Sequence, residues 1–166
     1  VKPQDFAIRM MFPDDLPGVL SVEMDCFDDP WDEREFREQL RKGNCFGSVA
    51  TVRCKVVGYL VYELLAGEVV VLSVAVAPEH QRCGIAGDLV RKQFARLTPK
   101  YRNRIVANVR ESNLEAQLFF KSLRFRAVRV LSNFYDEMGE NAYRMVRMYE
   151  TIQREQQAAE QRSLWK

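Results

Sequence analysis

Gln81, Gly84 and Ala86 follow a run of apolar β-formers and open an amphipathic helical pattern. That spacing suits anion chemistry. Small residues let phosphate oxygens approach the main chain. The first N–H groups of a helix have no intrahelical partner and lie at the positive end of its dipole. Gly84, at the start of such a helix, is therefore a candidate cradle for a pyrophosphate, although an ordinary strand-to-helix turn also uses a glycine there.

The elements around this string must position it. Val69, Val70, Val71, Leu72, Ser73, Val74, Ala75 and Val76 are too continuously apolar for a half-solvated strand, which predicts a central strand covered on both faces. Ala77 and Pro78 end it, and Ile85, Leu89, Val90, Phe94 and Leu97 recur at helical spacing. Upstream, residues 6–11 read as a first strand. Asp14 or Asp15 is the expected cap of a helix with Leu16, Leu20, Met24 and Phe27 on one face. Asp28-Asp29-Pro30 breaks that helix, and a second begins near Asp32, with Glu35 as capping-box partner and Phe36 and Leu40 inward. Gly43-Asn44 is the expected terminator. Residues 46–53 and 56–65 form two antiparallel strands, and Ala66-Gly67 turns into the central one.

Downstream, residues 104–109 read as a fifth strand, and Ser112 with Glu115 predicts a capping box opening a helix with Leu114, Leu118, Phe119 and Leu123. Residues 127–131 and 143–149 complete the sheet as a hairpin with a long connection containing Asn133 to Asn141. The expected class is α/β, a mixed, mostly antiparallel sheet of about seven strands flanked by about four helices. Residues 1–150 are expected to form one domain, and 151–166, rich in Gln, Glu and Arg, a polar tail that is an exposed helix or disordered.

Composition narrows the function. The chain has 166 residues, is 47% apolar and carries a formal net charge of +2, enough for one sizeable core and without the broad cationic surface of a nucleic-acid-binding domain. Lys100, Arg102 and Arg104, and Arg124, Arg126 and Arg129, read as solvated surface. Cys26, Cys45, Cys54 and Cys83 lack C-x-x-C spacing, and His80 is the single histidine, so reduced thiols and no metal site are expected. No signal pattern or membrane-length apolar run is present in the sequence given, and a soluble, cytoplasmic protein is the expectation.

Gln81, Gly84 and Ala86 match Q/R-x-x-G-x-G/A, and with them the chain resembles the GNAT superfamily of acyl-CoA-dependent N-acetyltransferases. Within that superfamily it resembles the RimI-type ribosomal-protein-alanine enzymes and the related catalytic subunits that acetylate protein N-termini. The likeness covers roughly residues 6–149. It includes Pro30-Trp31 with Glu33 and Phe36, Ser73 to Pro78, Val109-Arg110 with Ser112-Asn113, Ser122-Leu123 with Phe125, Asn133-Phe134-Tyr135, and Gly139-Glu140-Asn141-Ala142-Tyr143. The resemblance implies the GNAT fold, with a V-shaped cleft between strands four and five, and acetyl-CoA as co-substrate. It also implies that Val74, Ala75 and Val76 pair with the pantetheine arm and that Arg82, Cys83, Gly84, Ile85, Ala86 and Gly87 offer main-chain N–H groups to the pyrophosphate. Asn113 stands where the family hydrogen-bonds the arm, with a plain helix cap as the other reading.

The implied catalytic set departs from the family. Asn108 occupies the position of the strand-five glutamate base, and Phe120 that of the tyrosine acid, so neither usual proton-transfer group is present. Asn108 can still orient a water. Asp29, between the first two helices, is a substitute base or a helix-terminating surface carboxylate. Tyr135 is a candidate partner for the acceptor's backbone, while Phe134 lacks the hydroxyl of the family's first tyrosine. Trp31 and Phe27 are candidates for the acceptor wall or for the core.

Chemistry bears on the acceptor. An α-amine with a pKa of roughly 7.7–8.0 is about a fifth to a third neutral near pH 7.4, against about 0.1% for a lysine near 10.4, so a weak-base site favours protein N-termini. Thiolate leaves tolerably without a dedicated acid, its thiol titrating near roughly 8.5. The leading expectation is direct acetyl transfer to a protein N-terminus, with a ribosomal protein's alanine as the family's acceptor. Small-amine or lysine acetylation and a catalytically weak CoA-binding module are the alternatives. Neither a nucleic acid nor a membrane is an expected partner.

Overall fold

The computed structural model describes residues 5–135 and 139–163. Its chain order is β1 (Ala7–Met10), α1 (Leu16–Cys26), α2 (Glu33–Arg41), β2 (Cys45–Val52), β3 (Lys55–Leu64), β4 (Gly67–Val76), α3 (Ile85–Lys92), β5 (Arg102–Arg110), α4 (Leu114–Ser122), β6 (Arg126–Tyr135), β7 (Glu140–Met148) and α5 (Tyr149–Ser163). The strand order is β1-β2-β3-β4-β5-β7-β6, mixed, with β4 and β5 parallel. Two compact units emerge, Val1–Leu64 with Val71–Gln93, and Leu65–Val70 with Phe94–Lys166.

In the first unit, β1, β2 and β3 pair antiparallel, Ile8 facing Ala50 and Val49 facing Tyr59. Residues 57–62 of β3 are all buried, which requires cover on both faces. Successive residues show what covers them. Tyr59 meets Glu23 of α1 and the Phe36 ring of α2, whereas a Cβ on Gly58 would touch Val76 and Ile85 of α3. Because neighbouring strand residues point to opposite faces, α1 and α2 lie on one and α3 on the other. Leu16, Val19, Val22, Phe36, Val49, Tyr59, Val61 and Ala75 form the core on the α1 side.

α1 corrects its predicted face. Leu16, Val19, Val22 and Glu23 are buried, while Met24 is 70% and Phe27 37% exposed. The apolar stripe is rotated, and a glutamate occupies part of it. Nor does Asp15 cap α1 through its side chain: its carboxylate accepts from Phe12 N at 2.8 Å and pairs with Arg9 at 2.6 Å, closing the turn before the helix. The capping box of Asp32 and Glu35 forms as expected, with bonds of 2.8 and 2.7 Å.

In the second unit β7 lies between β5 and β6, antiparallel to both. Glu68, at the start of β4, accepts from Arg104 of β5 at 2.8 Å and Arg144 of β7 at 2.6 Å. The predicted box of Ser112 and Glu115 does not form. Asn113 caps α4 through Ala116 N at 2.9 Å, and Ser112 binds Glu140. The α4 face differs as well: Leu114 and Leu118 are exposed, and Phe120 and Leu123 are buried. The hairpin strands run longer than predicted, taking in Asn133 to Tyr135 and Glu140 to Asn141, while Asp136, Glu137 and Met138 of the predicted connection lie outside the described residues. The polar segment after Thr151 is helical through Ser163; 164–166 are not described.

Candidate active site

The candidate residues divide between the units. On the first, β4 ends as Ala77 N donates to Val57 O at 2.9 Å, and a short turn at Pro78–His80 leads to the loop. Gln81 folds back, donating from Nε2 to Val76 O at 3.0 Å, and Cys26 Sγ donates to the same carbonyl at 3.3 Å. Val76 thus has its acceptor engaged twice. Arg82 and Gly84 both adopt left-handed backbone, with φ of 60° and 83°. A Cβ on Gly84 would meet nothing within 4 Å, so its glycine answers a conformational need and leaves the approach open.

α3 begins immediately after, so the N–H groups of Ile85, Ala86 and Gly87 precede the first helical bond, from Asp88 N to Gly84 O at 3.0 Å. Arg91 adds a cation that the motif did not announce. Its guanidinium lies back along the helix, with Nη2 2.9 Å from where a Gly87 Cβ would stand, and pairs with Asp88 at 3.1 Å. These three main-chain N–H groups, a glycine hinge and one guanidinium make a surface suited to a diphosphate.

Between α1 and β4 lies a buried polar chain that the motif reading missed. Glu23, 2% exposed, accepts from Trp31 N at 2.9 Å and from the Tyr59 hydroxyl, which also contacts Ser73 Oγ at 2.8 Å. Burial pushes the Glu23 carboxyl above its ordinary range against the pull of those donors, and burial with the neighbouring carboxylate pushes Tyr59 far up. Asp29 stands exposed on the connection between α1 and α2. Trp31 packs edge-on to Phe36 at 5.2 Å, on the core side, and Phe27 faces outward.

On the second unit, the Asn108 side-chain oxygen is buried without a hydrogen-bond partner among the described residues. Tyr135 donates its hydroxyl to the Asn108 carbonyl at 3.1 Å, and the Arg110 guanidinium lies 3.9 Å over its ring while pairing with Glu140 at 3.1 Å. Burial pushes the Tyr135 phenol up despite Arg110, so it is a donor at neutral pH. Phe120 is core, its ring edge-on to those of Phe119 and Phe125 at 5.0 and 5.1 Å. Asn113 has its side-chain oxygen spent on the α4 cap.

Residues 16–125 match the Acetyltransferase (GNAT) family. The chain belongs to that family. As a GNAT acetyltransferase it uses acetyl-CoA as co-substrate. Among its relatives is an N-alpha-acetyltransferase of Saccharolobus solfataricus, 29% identical over 88% of this chain and 95% of that protein. The [ribosomal protein bS18]-alanine N-acetyltransferase of Escherichia coli K12 is 24% identical over 73% and 81% of the two chains. The crystal structure of the corresponding ribosomal-protein-S18-alanine enzyme from Escherichia coli shares the fold with a TM-score of 0.76 at 22% identity, covering 87% of this chain and 94% of that one. The seven-stranded mixed sheet is the GNAT sheet. No described helix is long and apolar enough to cross a membrane.

Proposed function

We propose that this GNAT enzyme transfers acetyl from acetyl-CoA directly to the α-amino group of a protein N-terminus, with an N-terminal alanine of a ribosomal protein as its acceptor. Val74, Ala75 and Val76 receive the pantetheine arm, Val76 through groups other than its engaged carbonyl. Arg82, Cys83, Gly84, Ile85, Ala86 and Gly87 receive the diphosphate, joined by Arg91. Asn113 contributes through its nitrogen, its oxygen being committed to the cap.

The observation that carries the acceptor class is Asn108. Its buried, unpartnered oxygen can accept an N–H from an amine or a water but cannot take up a proton, and Phe120 offers no hydroxyl. Such a site suits an amine with a substantial neutral fraction in water, as an α-amine has, with a pKa roughly 2 to 3 units below that of lysine. The relatives named for α-amine acetylation point the same way. Tyr135, whose hydrogen goes to the Asn108 carbonyl, holds the acceptor backbone by accepting an N–H on its hydroxyl oxygen. Asp29, exposed on the connection between α1 and α2, contributes charge attraction for the ammonium form.

The test incubates the protein with acetyl-CoA and peptides differing in N-terminal residue, each free or α-blocked, and locates acetyl groups by mass spectrometry. Product that vanishes on α-blocking, and is greatest for alanine, is the expected result. Acetyl on lysine ε-amines in blocked peptides would favour the lysine reading. Thermal stabilisation by acetyl-CoA with no product from any peptide would favour a binding module.

A further inference from the structure

We propose that Ser73, Tyr59 and Glu23 form a proton path that carries the proton released by the acceptor amine into the buried Glu23 carboxylate. This path rests on the acetyl-transfer reading above and supplies the proton acceptor that Asn108 cannot be. Its three members belong to one unit and one face of its sheet.

The direction of the path follows from counting hydrogens. The Tyr59 phenol has one, and it is donated to Glu23. The 2.8 Å contact between Tyr59 and Ser73 must then use the serine's hydrogen. Ser73 therefore donates inward, and its lone pairs are left for a donor from outside. Glu23 and Tyr59 are sealed from solvent, whereas Ser73 is half-buried and immediately precedes Val74, the first residue assigned to the coenzyme arm. A row of hydroxyls all pointing toward a carboxylate has the polarity that proton uptake needs.

Glu23 suits the terminal position. Burial makes its carboxylate a stronger base than an exposed one, and the Trp31 N–H holds its other oxygen in place. The ionisable groups acting on Glu23 and Tyr59, besides each other, are Glu35 from α2 and Cys26 from α1, and Cys26 in turn feels Asp25 from α1 and Glu79 from the turn after β4. The Glu35 carboxylate favours proton uptake by Glu23 further.

In the reaction the amine nitrogen bonds the acetyl carbon, and the carbon–sulfur bond breaks with its electron pair leaving on the coenzyme sulfur. The ammonium proton passes to Ser73 Oγ as the serine's own hydrogen moves to Tyr59 and the phenol's to Glu23. The same path returns the proton to water after product leaves.

Glu23→Gln should fold like the parent protein, because its amide oxygen accepts from Trp31 and its amide nitrogen donates to Tyr59, whose hydrogen then turns to Ser73. Acetyl-CoA affinity by calorimetry should be unchanged, while kcat/KM for an α-amine peptide at pH 7 falls about 100-fold. Ser73→Ala should lose a similar factor and Ser73→Thr should recover most of it. The deficits of Glu23→Gln and Ser73→Ala should shrink toward pH 9, where the amine arrives neutral. Parent-like rates for either variant at pH 7, or a deficit equal at every pH, would overturn the path. An unmutated protein that binds acetyl-CoA but acetylates no peptide would instead overturn the acetyl-transfer reading, and the path with it.

Discussion

Gly84 combines two demands that a substitution can separate. Its φ of 83° excludes ordinary side chains, yet a Cβ there would touch nothing. Gly84→Ala should therefore cost about 1 kcal/mol of stability through backbone strain alone, read as a shift in the denaturation midpoint, with acetyl-CoA affinity falling modestly. Gly84→Glu adds a negative charge where the diphosphate is proposed to sit, and calorimetry should detect no uptake; unchanged affinity would place the coenzyme elsewhere. At this scale the sequence disclosed what a motif encodes. Gln81, Gly84 and Ala86 were legible because their spacing demands a strand before and a helix after. Glu23 was not, because a lone glutamate on an amphipathic helix looks like surface until its phase is known. Had the buried stripe been read as Leu16, Val19 and Val22, Glu23 would have stood out as a carboxylate on the apolar side.

At the scale of elements, capping chemistry decides which predictions hold. Asp32 and Glu35 satisfy each other's main-chain donors at the start of α2, and Asp32→Ala should cost about 1 kcal/mol, lowering the melting temperature by a few degrees. Ser112 and Glu115 carry the same pattern, but Glu140 from β7 takes Ser112 and leaves Asn113 as the cap. A tertiary partner thus overrides a local signal, and no window of neighbouring residues contains it. Glu68 and Glu23, both buried, also give opposite pH dependences. Burial pushes Glu68 up, but Arg144 and Arg104 more than offset it, so its folded value lies below the ordinary one. Its contribution is present above the unfolded value of about 4.3 and is lost as pH falls through the folded value. Glu23 lies above its ordinary value, and its contribution is lost as pH rises through that folded value. Glu68→Gln should therefore destabilise the protein at pH 7 by about 1–3 kcal/mol and flatten the acid limb of the stability profile. Glu23→Gln should leave that limb in place and remove the decline above it. Urea midpoints across pH 3 to 8 for the two variants distinguish the signs.

Over the whole molecule, β4 belongs to both compact units, Gly67–Val70 to the second and Val71–Val76 to the first. Its unbroken apolar run predicted a central strand, and it pairs within the sheet on that account. The division along it was not legible, because hydrophobicity reports burial and not which neighbours provide it. All but one of the coenzyme's proposed contacts, Asn113 being the exception, lie at the first unit's share of this strand, in the loop after it and at α3, while Glu68, at the strand's other end, is held by arginines of the second unit. Acetyl-CoA should therefore protect the chain unevenly. At about 100 times its dissociation constant it should add about 2.7 kcal/mol to the stability of any opening that must release it. In hydrogen exchange, amides of residues 71–76 and 84–88 should slow by about a hundredfold where they exchange through such openings. Amides of α5, which is tied to β7 through Glu155 and Arg147, should change far less if they exchange by local fraying. Equal slowing throughout would mean that every measured amide exchanges only through global unfolding. No slowing at 84–88, with binding confirmed by calorimetry, would move the diphosphate away from the start of α3.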